Sequence, residues 1–129
     1  MRFIPTRFHG ILDYVVGLLL LASPWLLGFS EIEAATWAAI IAGAVVLLQA
    51  VVTDFEAGIL HKVPMGMHLL VDLVLGTALA ASPWLLSFDG RTYLPHLILG
   101  LYLLLASLAT HRRPSRPYQR GYVRPGHVR

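Results

Sequence analysis

Apolar residues fall into four long runs along the chain. The first, Ile11 to Phe29, is interrupted by one charge, Asp13, and the third, Met65 to Phe88, likewise by Asp72 alone. The second, Ala34 to Val52, is 19 residues without a charge, with Gln49 as its most polar member. At 1.5 Å rise per residue a run of that length spans roughly 28 Å, close to the thickness of the hydrocarbon layer. The fourth, Leu94 to Ala109, is shorter at 16 residues and extends through Thr92 and Thr110. Short polar turns separate the runs within each pair, Gly28 to Glu33 and Ser87 to Tyr93, the latter with an Asp89-Gly90 turn signal. The pattern predicts four transmembrane helices arranged as two hairpins.

The hairpins are copies of one another. Ala22-Ser23-Pro24-Trp25-Leu26-Leu27 recurs letter for letter as Ala81-Ser82-Pro83-Trp84-Leu85-Leu86, a shift of 59 positions. The same shift places Pro5 on Pro64, His9 on His68, Asp13 on Asp72, Gly17 on Gly76 and Phe29 on Phe88. A shift of 57 aligns the second helices, pairing Gly43 with Gly100, Leu47 with Leu104 and Thr53 with Thr110. A fixed internal period is the signature of a repeated structural unit. The recurrence also argues against a secretory signal at the N-terminus, since the same segment returns at 68–88. The expected fold is all-α: a four-transmembrane-helix bundle built from two parallel-oriented two-helix repeats, about 4–53 and 63–110. Together these form one domain, 1–110, followed by a disordered Arg/Pro-rich tail, 111–129.

Composition agrees with burial in lipid. Hydrophobic residues make up 57% and charged residues 13%, against roughly 45–50% and 25% in soluble domains, and the mean hydropathy is +0.68. There is no cysteine, which excludes disulfides, thiol catalysis and thiolate metal sites. The net charge of +3 conceals a polarised distribution. Arg2, Arg7, Lys62 and the six tail arginines fall on one side of the predicted topology, and only Arg91 on the other. The positive-inside rule then predicts a cytoplasmic (inner) membrane protein with both termini in the cytoplasm. The Arg-rich tail suits anionic lipid headgroups, at about 1 kcal/mol per basic residue near a charged surface. Nothing beyond charge suggests nucleic acid, and none is expected. From Asp54 to Val63, Phe55, Ile59 and Leu60 among charges suit a segment lying along the membrane surface, with Pro64 at the first position of the next helix.

Two sets of repeated residues are candidates for a role. In Ser23-Pro24-Trp25 and Ser82-Pro83-Trp84, proline denies the carbonyl four residues earlier its helical donor, freeing Leu20 and Leu79. A neighbouring serine hydroxyl is a natural replacement, and the tryptophans suit the outer interface. His9, Asp13 and Gly17 form one helical ridge, and His68, Asp72 and Gly76 another. A carboxylate in an apolar span is expensive and faces the bundle interior with a partner. These four polar residues are open to three readings: hydrogen bonds that hold the repeats together, a proton-handling pair, or a divalent-metal site of imidazole and carboxylate. Asp54, Glu56 and His61 lie towards the same end of the helices, whereas His96 and His111 look interfacial. Ala35, Ala39 and Gly43 make a small-residue ridge, suited to packing within the chain or against a second copy in a homo-oligomer.

The doubled SPWLL, each copy preceded by His-x-x-x-Asp-x-x-x-Gly, resembles the SPW-repeat family of small prokaryotic integral membrane proteins over about residues 4–110. The resemblance implies four membrane helices in two repeats and supplies no catalytic residue. The leading expectation is a non-enzymatic structural or partner-binding component of the membrane, with no cofactor predicted. The alternatives are a small transporter or channel subunit using the His/Asp pairs, and, third, a metal-dependent membrane enzyme. No phosphate loop, nucleophile–base pair or HExxH arrangement supports an enzyme.

Overall fold

The computed structural model describes residues 1–114, so the tail expected to be disordered lies, beyond Pro114, outside the described residues. Four helices follow in order: α1 (Thr6–Leu26), α2 (Glu33–Val52), α3 (Met65–Leu85) and α4 (Leu94–Ala109). Each packs chiefly on its hairpin mate, α1 on α2 and α3 on α4. Glycine permits the close approach in both hairpins. A Cβ added at Gly43 would lie 2.8 Å from the carbonyl oxygen of Gly17, and one at Gly76 2.6 Å from that of Gly100. Ala35 and Ala39 are buried inside the chain, so the small-residue ridge of α2 is used within the monomer.

The hairpins meet through three layers. The middle one is hydrophobic: Val16 and Leu20 of α1, Ala42 and Val46 of α2, Leu79 of α3 and Leu103 of α4. At the end bearing the hairpin turns, Phe29, Phe88, Ala35 and Ala39 form a second cluster. At the end bearing both helix N-termini, Phe55, Met65 and Leu69 form a third. Outward-facing positions are also apolar, among them Val15, Leu18, Ile41, Leu48, Val74 and Ile98. A bundle apolar both inside and outside has lipid for its solvent. Three helices are long and apolar enough to cross a bilayer; the 16 residues of α4 reach about 24 Å. The protein is a multi-pass membrane protein.

Short extended segments join the repeats at the N-terminal ends of α1 and α3. β1 (Thr53–Asp54) pairs in parallel with β2 (Val63–Pro64), and Ile4 bridges Thr110 in the same sense. Lys62 N–H donates to Val52 O at 2.8 Å, as Phe3 N–H does to Ala109 O at 2.7 Å. The two joints are equivalent under the repeat, one covalently continuous and one formed between the segment before α1 and the segment after α4.

Two details differ from the sequence-based expectation. Pro64 is the N-cap of α3 rather than its first residue, and Pro5 caps α1 in the same way. The segment after β1 does not simply lie on the surface. Phe55 turns in and is 1% exposed, because only Gly10 of α1 leaves room for its ring. Thr6 Oγ1–H to Glu56 (2.6 Å) and Tyr14 O–H to Ala57 O (2.9 Å) fasten the segment in place; Ile59 and Leu60 stay exposed.

Replacing Gly76 by Val should force α3 and α4 apart, lowering stability by about 1–3 kcal/mol. Gly66→Ala, where an added methyl meets nothing within 4 Å, is the control. Thermal unfolding of the detergent-solubilised proteins reads the difference.

Candidate functional site: a buried histidine–aspartate quartet

His9 is the fourth residue of α1 and Asp13 the eighth; His68 and Asp72 hold the same places in α3. Spacing by four keeps each pair on one face, and both faces turn inwards. All four residues are 0–1% exposed. The pairs interlock across the repeats: His9 Nε2 lies 2.9 Å from Asp72 Oδ2, and His68 Nε2 lies 2.8 Å from Asp13 Oδ2. Within each helix the Nε2-to-Oδ2 separations are 3.3 Å. Two imidazole nitrogens and two carboxylate oxygens thus alternate around a small ring, with the imidazole planes edge-on at 71°.

The outer side of each imidazole is set by a threonine. Thr53 Oγ1–H donates to Gln49 O at 2.5 Å and Thr110 Oγ1–H to Ala106 O at 2.7 Å. A hydroxyl has one proton, so each oxygen is left to accept. It accepts Nδ1–H of His68 or His9, at 2.8 Å in both cases. Nε2 of both rings is therefore the atom turned to the carboxylates. Thr53 and Thr110 are visible in the sequence as a pair matched at the 57-residue shift. Their role needs the extended turn after α2 and α4, which spacing alone does not reveal.

The quartet is not fully symmetric. Asp72 Oδ1 accepts from the Gln49 side-chain amide, but position 106, equivalent to Gln49, is alanine. Asp13 Oδ1 is consequently buried with no hydrogen-bond partner. Phe55 closes the quartet from the end of the bundle, its ring 5.7 Å from that of His68. The hydrophobic layer of Val16, Leu20, Val46 and Leu103 closes it from above.

The other candidates are elsewhere. Asp54 pairs with His61 at 3.1 Å in a partly exposed contact, and Glu56 takes the hydroxyl of Thr6; neither enters the quartet. His96 is buried, not interfacial: it lies between Phe29 and Phe88 and bonds Ala35 O through Nε2 at 2.8 Å. His111 is exposed. In the Ser-Pro-Trp copies, Ser23 Oγ–H donates to Leu20 O at 2.8 Å and Ser82 Oγ–H to Leu79 O at 2.7 Å. Those are the carbonyls that the prolines leave open. Trp25 and Trp84 are exposed at the turn ends of α1 and α3. The motif ends the helices in matching fashion, with Phe29 and Phe88 N–H bonding back to Pro24 and Pro83 O.

Asp72→Asn should cost about 3–5 kcal/mol, the penalty for removing one charged member of a buried polar cluster and leaving its partners unmatched. Gln49→Ala, which only strips a hydrogen bond from Asp72, should cost about 1–3 kcal/mol. Thermal or denaturant unfolding in detergent micelles ranks the two.

A family model described as the SPW repeat domain matches residues 7–110, a span that takes in both motif copies and all four helices. No curated protein and no solved structure matches. The chain belongs to the SPW repeat family.

Proposed function

We propose that the protein is a non-enzymatic structural or partner-binding component of the cytoplasmic membrane, with the quartet as the internal lock between its repeats. The observation that carries this reading is the closure of the quartet. Apart from Asp13 Oδ1 its polar groups serve one another and their threonine and glutamine partners, Phe55 covers one side and the hydrophobic layer the other. A transport pathway needs polar groups continuing towards the opposite face, whereas the layer above the quartet is Val16, Leu20, Val46 and Leu103, with the buried Tyr102 hydroxyl as its polar group. A catalytic centre needs room for a substrate beside its acid or base, and the quartet is fully buried.

Charge asymmetry supports cytoplasmic termini, with the tail arginines against anionic headgroups. The exposed faces left for a protein partner or a second copy are apolar and belong to the outer surfaces of all four helices.

Proteoliposomes test the reading directly. Vesicles carrying the wild-type chain should leak protons, monovalent cations and small anions no faster than empty vesicles. A flux above background that Asp13→Asn and Asp72→Asn both abolish would overturn the structural reading in favour of transport.

A further inference from the structure

We infer that the quartet is a structural site for one divalent transition-metal ion, with zinc as the favoured occupant. The inference rests on the reading of the quartet as a closed lock and names what lies at its centre. Four potential ligand atoms, one from each of His9, Asp13, His68 and Asp72, lie within 4.8 Å of one another. Each Nε2 faces carboxylate oxygens at 2.8–3.3 Å, and the two buried carboxylates need compensating positive charge, supplied either by protons on the Nε2 atoms or by a cation that replaces them. A single dication does this for both pairs at once, and two carboxylates neutralise it.

Geometry and surroundings favour that arrangement. Zinc holds nitrogen and oxygen donors at about 2.0–2.1 Å, which sets neighbouring tetrahedral donors about 3.3–3.4 Å apart. The two separations within helices are already 3.3 Å, whereas the pairs facing one another across the ring, within 4.8 Å, would have to close. Those across the repeats, 2.8 and 2.9 Å, would widen by about half an ångström to match. Metal-binding imidazoles characteristically donate their second N–H to a fixed acceptor, which orients the ring. Thr53 and Thr110 provide that acceptor for His68 and His9. Gln49 does the same service for the Asp72 carboxylate.

Asp13 Oδ1 adds a second observation. It is buried and without a hydrogen-bond partner, while its symmetry mate is satisfied by Gln49. A cation beside Asp13 Oδ2 would be close enough to draw on both oxygens of that carboxylate. An N₂O₂ donor set without sulfur suits zinc and its first-row neighbours rather than soft monovalent copper. Four protein ligands leave no open coordination position, the mark of a structural rather than a catalytic site.

The test uses the full chain purified in detergent from cells grown with zinc, manganese or copper, with metal content measured by plasma mass spectrometry. The expected result is about one zinc per chain, with His68→Gln or Asp13→Asn losing nearly all of it. Thr53→Val, which removes the acceptor for the second N–H of His68 together with the hydroxyl's bond to Gln49 O, should weaken zinc binding by about 10–100-fold. Should the ligand variants fail to fold, wild-type protein made in cobalt-supplemented, zinc-depleted cells decides the matter, since tetrahedral cobalt(II) gives strong visible d–d bands. Absence of stoichiometric zinc together with absence of those bands overturns the metal site. If Asp72→Asn still destabilises the metal-free chain, the lock itself stands. Stoichiometric zinc whose removal leaves thermal stability unchanged overturns its structural role.

Discussion

Two aspartates placed about 10 Å inside the ends of apolar helices constrain everything else in this fold. A carboxylate at that depth is tolerable only with a positive or hydrogen-bonding partner, and here each finds it on the opposite repeat. Within a hairpin, glycine contacts let backbones touch. Between hairpins α1 and α3 are bridged by long polar side chains at this one level and by apolar packing above it. The quartet therefore fixes which faces of α1 and α3 point inwards and at what height the two repeats stand relative to one another. A slip of one residue in either helix would strand a carboxylate among leucines.

The rest of the repeat serves that register. Ser-Pro-Trp stops α1 and α3 at equal distances from the quartet, because proline opens a carbonyl, serine closes it, and the chain turns with Phe29 or Phe88 tucked under the end. At the other end the threonines stop α2 and α4 and bind the outer nitrogen of the histidines. Each histidine is thus held at both nitrogens by residues from different helices, and one mispositioned hairpin disturbs every bond in the set.

Much of this was legible in the sequence because it was written twice. Helix number, hairpin pairing, the His/Asp ridges and the serine partners of the open carbonyls all follow from period and elementary backbone chemistry. The cross-pairing did not. Spacing by four joins His9 to Asp13, but the shorter contacts run from His9 to Asp72 and from His68 to Asp13, and only the approach of two helices decides that. Phe55 resembled a surface anchor because its socket, Gly10, lies 45 residues earlier. His96 resembled an interfacial residue because its acceptor, Ala35 O, is on the other hairpin. In each miss the deciding partner is distant in sequence and carries no side-chain signal of its own.

The bridge between Ile4 and Thr110 matches the one between Val63 and Thr53, so the segments flanking the four-helix unit meet as its middle does. The same backbone pairing is therefore made with and without a covalent link running through it. A circular permutant linking the region after Thr110 to the region before Ile4, and opened between Phe55 and Lys62, would preserve both joints and all four helices. A single hairpin carrying one His, one Asp and one Thr holds half of each joint and half of the quartet. Two such half-length chains, related by twofold symmetry, would assemble the same centre.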